Sequence, residues 1–310
     1  MLRLLLELLP CLSLGVLIGR QRPGWIRPLS LPLVRYGVPI SLMGLLLRAG
    51  LSWSLLGYAA VAVVAIAVML TLSHQMDPLR RWIGRPALEL GTCVGNTAYF
   101  GIPVALALLP AEALQVSIGY DFGATLLAWA LGPFWLARGC AAPGEPQLRA
   151  LWRHVSDSPA SRGLLGALLV HWTPWQQAVS DWLWWPARVV IVLALVVVGM
   201  RLGAIDPGQA SAPGPQGSRW ALQGTVIAKL LIFPALVLLL TGPLPLATAA
   251  RDALVLQAAA PTAISVLLMA ETQQRDHHAA ALVVLRSTAL ALVTVPLWWW
   301  ALQNGLPWQG

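Results

Sequence analysis

Gly91-Thr92-Cys93-Val94-Gly95-Asn96-Thr97-Ala98-Tyr99-Phe100-Gly101-Ile102-Pro103 lies inside an apolar run and makes a poor plain helix. Gly91, Gly95 and Gly101 loosen the backbone, and Pro103 lacks an amide donor and clashes with the carbonyl four residues back. Asn96 and Thr97 place hydrogen-bonding groups where lipid offers none. A bilayer tolerates such backbone only where protein or a water-filled cavity surrounds it. The stretch therefore predicts a broken transmembrane helix whose second half starts near Asn96 or Thr97, with Gly101 and Pro103 as helix-breaking residues and backbone groups open to a ligand.

The rest of the chain fits a membrane. Of its 310 residues, 58% are hydrophobic and only 10% charged, whereas a soluble domain carries about 25% charged residues. Apolar segments fall at 4–19, 31–47, 52–73, 87–109, 114–137, 162–178, 182–200, 220–241, 249–270 and 279–302. Each approaches the length of a transmembrane helix. The first imitates a signal peptide, but Glu7 interrupts its leucine run and no A-x-A site follows, so it is expected to stay as a span.

Charge sets the expected orientation. The net charge of +8 is scattered through short loops, which reads as a topology signal and not as a nucleic-acid footprint. The odd-numbered loops hold Arg20, Arg22 and Arg27; Arg80, Arg81 and Arg85; Arg138, Arg149, Arg153 and Arg162; Arg201 and Arg219; and Arg275. The even-numbered loops offer little beyond Arg48 and Arg251. The basic side faces the cytoplasm, so both termini are expected on the non-cytoplasmic side of the plasma (inner) membrane. The tryptophans at 182–185 and 298–300 suit interfacial belts.

An internal repeat is visible. Trp53-Ser54-Leu55-Leu56-Gly57 recurs as Trp220-Ala221-Leu222-Gln223-Gly224, Asn96-Thr97-Ala98 as Pro261-Thr262-Ala263, and Gly132-Pro133-Phe134-Trp135 as Val295-Pro296-Leu297-Trp298. The three matches keep their order at offsets of 163 to 167 residues, which points to two related halves. Five spans per half would turn the second half upside down. The expected organisation is 1–140 as the first five-helix repeat, 141–161 as a cytoplasmic linker and 162–310 as the second, inverted repeat. The fourth and ninth spans become counterparts. The ninth, Gln257-Ala258-Ala259-Ala260-Pro261-Thr262-Ala263-Ile264-Ser265, carries its own interruption at Pro261. Gly15-Val16-Leu17-Ile18-Gly19 is a GxxxG pattern, read as close packing within the bundle in preference to a dimer seam.

Two signatures resemble the auxin efflux carrier family, which includes many bacterial permeases. One is Gly95–Pro103 followed by Val104-Ala105-Leu106-Ala107-Leu108. The other runs from Gln257–Ala263 to Leu290–Pro296. The resemblance covers nearly the whole chain, the loops least. It implies an all-α membrane fold of ten helices in two inverted five-helix repeats, whose broken fourth and ninth helices cross at mid-membrane. It also implies export or exchange of organic anions, mostly carboxylates; the architecture is similar to that of the bile-acid/sodium symporters. Asn96 would then hold the substrate carboxylate, and Pro261 would mark the crossing on the other strand. Ser265 stands where bacterial members often have Asn, and Arg286 where a small residue is usual.

The expected substrate-binding residues are Gly95, Asn96, Thr97, Gln257, Pro261, Thr262 and Ser265. Ionisable groups inside the spans are Arg35, Asp121, Arg188, Lys229 and Arg286. Arg35 and Arg188 are near enough to span ends to snorkel. Asp121, Lys229 and Arg286 are candidates for coupling or counter-charge, against Asp121 in a mere outer vestibule. No cofactor or metal is expected: Cys11, Cys93 and Cys140 lack metal spacing, and no hydrolase, zincin or Walker motif occurs. The expectation is a secondary carrier, not an enzyme, for a small organic anion, with the bilayer as its surroundings. Proton or sodium coupling and a homodimer are left open. The alternatives are a sodium-coupled organic-anion symporter and a non-transporting receptor.

Overall fold

The computed structural model describes residues 2–138, 156, 159–204 and 216–304. Most of the expected linker at 141–161, Cys140 and most of the connection at 202–218 lie outside the described residues. The helices are α1 (Leu2–Gln21), α2 (Pro23–Ala49), α3 (Trp53–Gln75), α4 (Asp77–Ile83), α5 (Pro86–Gly91), α6 (Thr97–Leu108), α7 (Ala113–Ala137), α8 (Pro159–His171), α9 (Gln176–Ala204), α10 (216–241), α11 (Thr248–Ala258), α12 (Ile264–Thr272) and α13 (His277–Gln303). The described residues contain no β-strand, only an isolated antiparallel bridge between Gly95 and Thr262.

Among the described residues, five helices are long and apolar enough to cross a membrane: Pro23–Ala49, Trp53–Gln75, Gln176–Ala204, Arg219–Thr241 and His277–Gln303. The outer surface of the bundle is apolar, with Leu17, Leu169, Val192, Leu239 and Val293 all exposed. Trp53, Trp172, Trp182, Trp185 and Trp300 are exposed near helix ends, as membrane interfaces favour. Trp298, by contrast, turns inward and donates from Nε1 to the Leu230 carbonyl at 2.8 Å.

Local chemistry explains the punctuation. Gly50 ends α2 at φ 77°, a region that only glycine enters without strain. The Ser52 hydroxyl then caps α3 by accepting from Leu55 N at 3.3 Å. Hydroxyls buried in the helices bond back to their own turns: Ser117 to Ala113, Thr225 to Ala221 and Thr288 to Val284. No polar hydrogen is left facing hydrocarbon there.

The helices fall into two packed groups. In one, α1 and α2 pack on α9, and α8 packs on α2. In the other, α3 packs on α7, α10 on α11, and α12 on α13. The seam of the first group is made of glycine. A methyl group at Gly15 would strike the Val196 carbonyl, and one at Gly199 the Leu12 carbonyl. Gly19 and Gly203 meet Met200 and Val16 in the same way. The GxxxG pattern of α1 is thus spent on α9 of its own chain.

Candidate functional site

The break predicted from the sequence is present and its second half starts at Thr97, as expected, but Gly101 and Pro103 are not the residues that break it. Helix α5 stops at Gly91, and α6 starts at Thr97. Gly101 and Pro103 lie inside α6. The start of α6 is widened to a π-helical turn at Thr97–Gly101, where the Phe100 and Gly101 amides both reach the Asn96 carbonyl at 3.0 and 3.1 Å. That wider turn lets the helix pass through Pro103, which sits in the first turn of Ile102–Leu108. The ninth segment breaks in the same manner: α11 stops at Ala258 and α12 starts at Ile264.

The two interruptions satisfy each other. Asn96 N donates to the Pro261 carbonyl at 2.7 Å, and Ala263 N to the Val94 carbonyl at 3.0 Å. Thr262 binds on two sides, its N–H to Ser287 Oγ at 3.0 Å and its hydroxyl to the Gly91 carbonyl at 2.8 Å. Unwound backbone inside an apolar bundle needs such partners. Pro261 has no N–H, and the bridge uses only its carbonyl.

A cavity of about 80 Å³ opens beside this crossing, between the two helix groups. Gly95, Asn96, Thr97, Asp121, Ala263 and Ser265 line one wall; Ser30, Ser41, Leu42 and Leu45 of α2 and Val197 of α9 line the other. A single water needs roughly 10–15 Å³ of such space, so a small organic molecule fits. Both α6 and α12 present their N-termini here, and neither carries a side-chain cap. Asn96 occupies the cap position of α6, a place where Asn normally bonds the helix, yet its carboxamide makes no such bond. The amides of Thr97, Ala98 and Tyr99, and those of Ile264 and Ser265, have no acceptor among the described residues. Unpaired N–H groups and positive dipole ends favour an anion.

Among the described residues, the one charged group lining the cavity is Asp121. It is 2% exposed and accepts from Thr97 Oγ1 at 2.5 Å and Thr125 Oγ1 at 3.3 Å. It belongs to the cavity wall and not to an outer vestibule.

The other predicted residues divide. Gln257 is buried behind the crossing, its carboxamide packed on Gly101 with both polar atoms unpartnered, and it does not line the cavity. Pro261 and Thr262 build the crossing without facing the cavity. Lys229 lies behind Gly95, and Arg286 is half-buried on α13 away from the cavity. Arg35 and Arg188 are exposed, over the rings of Tyr36 and Trp184. Sequence reasoning missed Ser41, Tyr99, Thr125 and Trp129 in the cavity wall. It also missed Glu89, which is buried and bonded to Arg138 and to Trp135 Nε1. Charge at the inner end of the fourth segment was the available signal for Glu89.

An all-helical bundle with membrane-length helices, an apolar exterior and a polar cavity at two crossed half-helices defines a multi-pass membrane protein. Residues 148–299 match the family described as membrane transport protein. An uncharacterised transporter of Methanothermobacter thermautotrophicus is 24% identical over 275 residues, covering 86% of this chain and 85% of the relative. One from Methanocaldococcus jannaschii is 21% identical over 219 residues, covering 70% and 68%. These similarities support a membrane transporter.

Proposed function

We propose that the protein is a secondary carrier for a small organic anion, a carboxylate, bound between the two half-helix N-termini near mid-membrane. The observation that carries this reading is the pair of uncapped helix starts, with the free Asn96 carboxamide, facing one cavity. A carboxylate accepts several N–H bonds at once, and helix N-termini supply them with the right sign of field. The ten helical segments form two inverted five-helix repeats in this reading, a view supported by the paired interruptions at 92–96 and 259–263. Alternating access moves the group of α1, α2, α8 and α9 against the crossing, with the cavity at their seam.

Asp121 favours proton coupling over sodium coupling. A carboxylate in the wall of an anion site repels the anion unless it is protonated. Anion and proton then travel together. The carrier works in the inner membrane with both termini outside. The test is counterflow in proteoliposomes: labelled small carboxylates should exchange against unlabelled ones, and faster with an acid-loaded donor side. Exchange of cations or neutral solutes, with no carboxylate exchange, would overturn the reading.

A further inference from the structure

Lys229 is the chain's only lysine, it is 0% exposed, and neither the crossing nor the cavity described above uses it. It sits in another π-helical turn, Ala228–Ile232, within α10. Its Nζ donates to the carbonyl of Ala258, the last residue of α11, at 2.5 Å. The same nitrogen lies against Gly95, where a Cβ would stand 3.3 Å from it. It also sits 4.8 Å from the centroid of the Phe233 ring. No carboxylate pairs with it among the described residues.

A buried ammonium without a carboxylate is costly unless other negative charge surrounds it. Here the compensation is backbone. Helices α5 and α11 both end at the crossing with a negative dipole end; the carbonyls of Leu88, Glu89, Leu90 and Gly91 already accept from Thr92, Cys93, Val94 and Thr262, which leaves the terminal carbonyls of α11. Ala258 supplies one of those carbonyls directly, and the Phe233 ring face adds a second attraction for a cation. The arrangement mirrors the cavity side, where the two N-termini are left open.

We propose that Lys229 is a resident cation of the crossing: its ammonium binds the carbonyl end of α11 at Ala258 and lies against Gly95 of the other broken segment, in a position that would otherwise need a monovalent cation from solvent. The carrier therefore runs without a sodium ion at this place. That consequence for coupling rests on the carrier reading above, whereas the test of the cation role does not.

The test uses the purified full chain in detergent and reads thermal unfolding. Wild type should have the same Tm in sodium, potassium and choline chloride. Lys229→Ala should have a lower Tm in choline chloride and recover more than half of the loss in ethylammonium chloride, with no recovery from ethanol. Lys229→Met keeps the volume without the charge and should be destabilised in every cation. Sodium-dependent stability of wild type would overturn the proposal. So would a Met variant as stable as wild type, or an Ala variant indifferent to ethylammonium. Failure of the carrier reading would instead appear as absent anion counterflow in wild type, with these melting results unchanged.

Discussion

Asn96 and Asp121 share one cavity, and their opposite chemistry decides what each variant should do. Asn96 stands at the cap of α6 with its carboxamide unused by the helix. Asn96→Ala is expected to weaken carboxylate binding by about 1–3 kcal/mol, the loss of a bond to a charged group, and to leave the melting temperature near that of wild type. Equilibrium binding of a transported carboxylate to the purified variant checks this; equal affinity with lost stability would make Asn96 a packing residue. Asp121 carries the reverse sign. Ionised, it opposes an anion; protonated, it does not, so wild-type binding should strengthen as pH falls. Asp121→Asn mimics the protonated form and should bind at high pH as wild type binds at low pH, with a flat pH profile. The groups bonded to the carboxylate are the hydroxyls of Thr97 and Thr125, neither of which titrates in that range, so an unchanged profile in the Asn variant would place the coupling elsewhere. Asn96 and Asp121 were both legible in the sequence, because a polar group inside an apolar segment is conspicuous. Ser41 and Tyr99 were not: each looks ordinary in its own helix and becomes a wall residue only when α2 meets α6.

At the scale of elements, the sequence located the interruption but misassigned its cause. Pro103 looked like the breaker, yet the chain unwinds at 92–96 and the π-helical turn at Thr97–Gly101 carries the helix past the proline. No local pattern distinguishes the two, since the break is held by partners far along the chain, Pro261 bonded to Asn96 and Thr262 bonded to Gly91, 171 residues apart. Glu89 was hidden for the same reason, as its partner Arg138 comes from the end of α7. The GxxxG reading was easier, because spacing alone fixes which face is small. It supports a stability prediction. Gly199→Ala places a methyl group on the Leu12 carbonyl, and such overpacking costs roughly 1–3 kcal/mol. Gly57→Ala is the control: nothing lies within 4 Å of its new methyl group, and alanine is the better helix former. Thermal unfolding should separate the two, with Gly199→Ala lowered and Gly57→Ala unchanged or raised. Equal melting points would mean that α1 and α9 give way at little cost.

For the whole molecule, the polar contacts at helix ends sort the loops into two sets. Arg201 bonds Glu271 at 3.4 Å and Ser30 at 3.4 Å. Arg275 reaches the Leu136 carbonyl at 3.0 Å and the Arg138 carbonyl at 2.5 Å, and Arg85 lies 4.0 Å from Asp276. These residues lie in or beside the odd-numbered connections, so the described helix ends that flank those connections meet at one end of the bundle. The even-numbered ones meet among themselves: Arg48 with Asp181 at 3.1 Å, Gln115 with Ser52 at 3.1 Å, and Gln303 with Asp252 at 3.0 Å. Gln303 closes α13, so the C-terminal end of that helix belongs to the even set. The arginine excess lies with the odd set, and positive loops stay in the cytoplasm. The C-terminus is then expected outside, and the 141–161 connection inside. Reporter fusions check this, with alkaline phosphatase active after residue 310 and a fluorescent protein that matures only in the cytoplasm bright when inserted at 141–146. A cytoplasmic C-terminus would overturn the orientation, and termini on opposite sides of the membrane would remove the inverted-repeat reading, because five spans per half require both on one side. Either result would leave the crossing intact, since the bonds between Asn96 and Pro261 and between Ala263 and Val94 do not depend on which way the bundle is threaded.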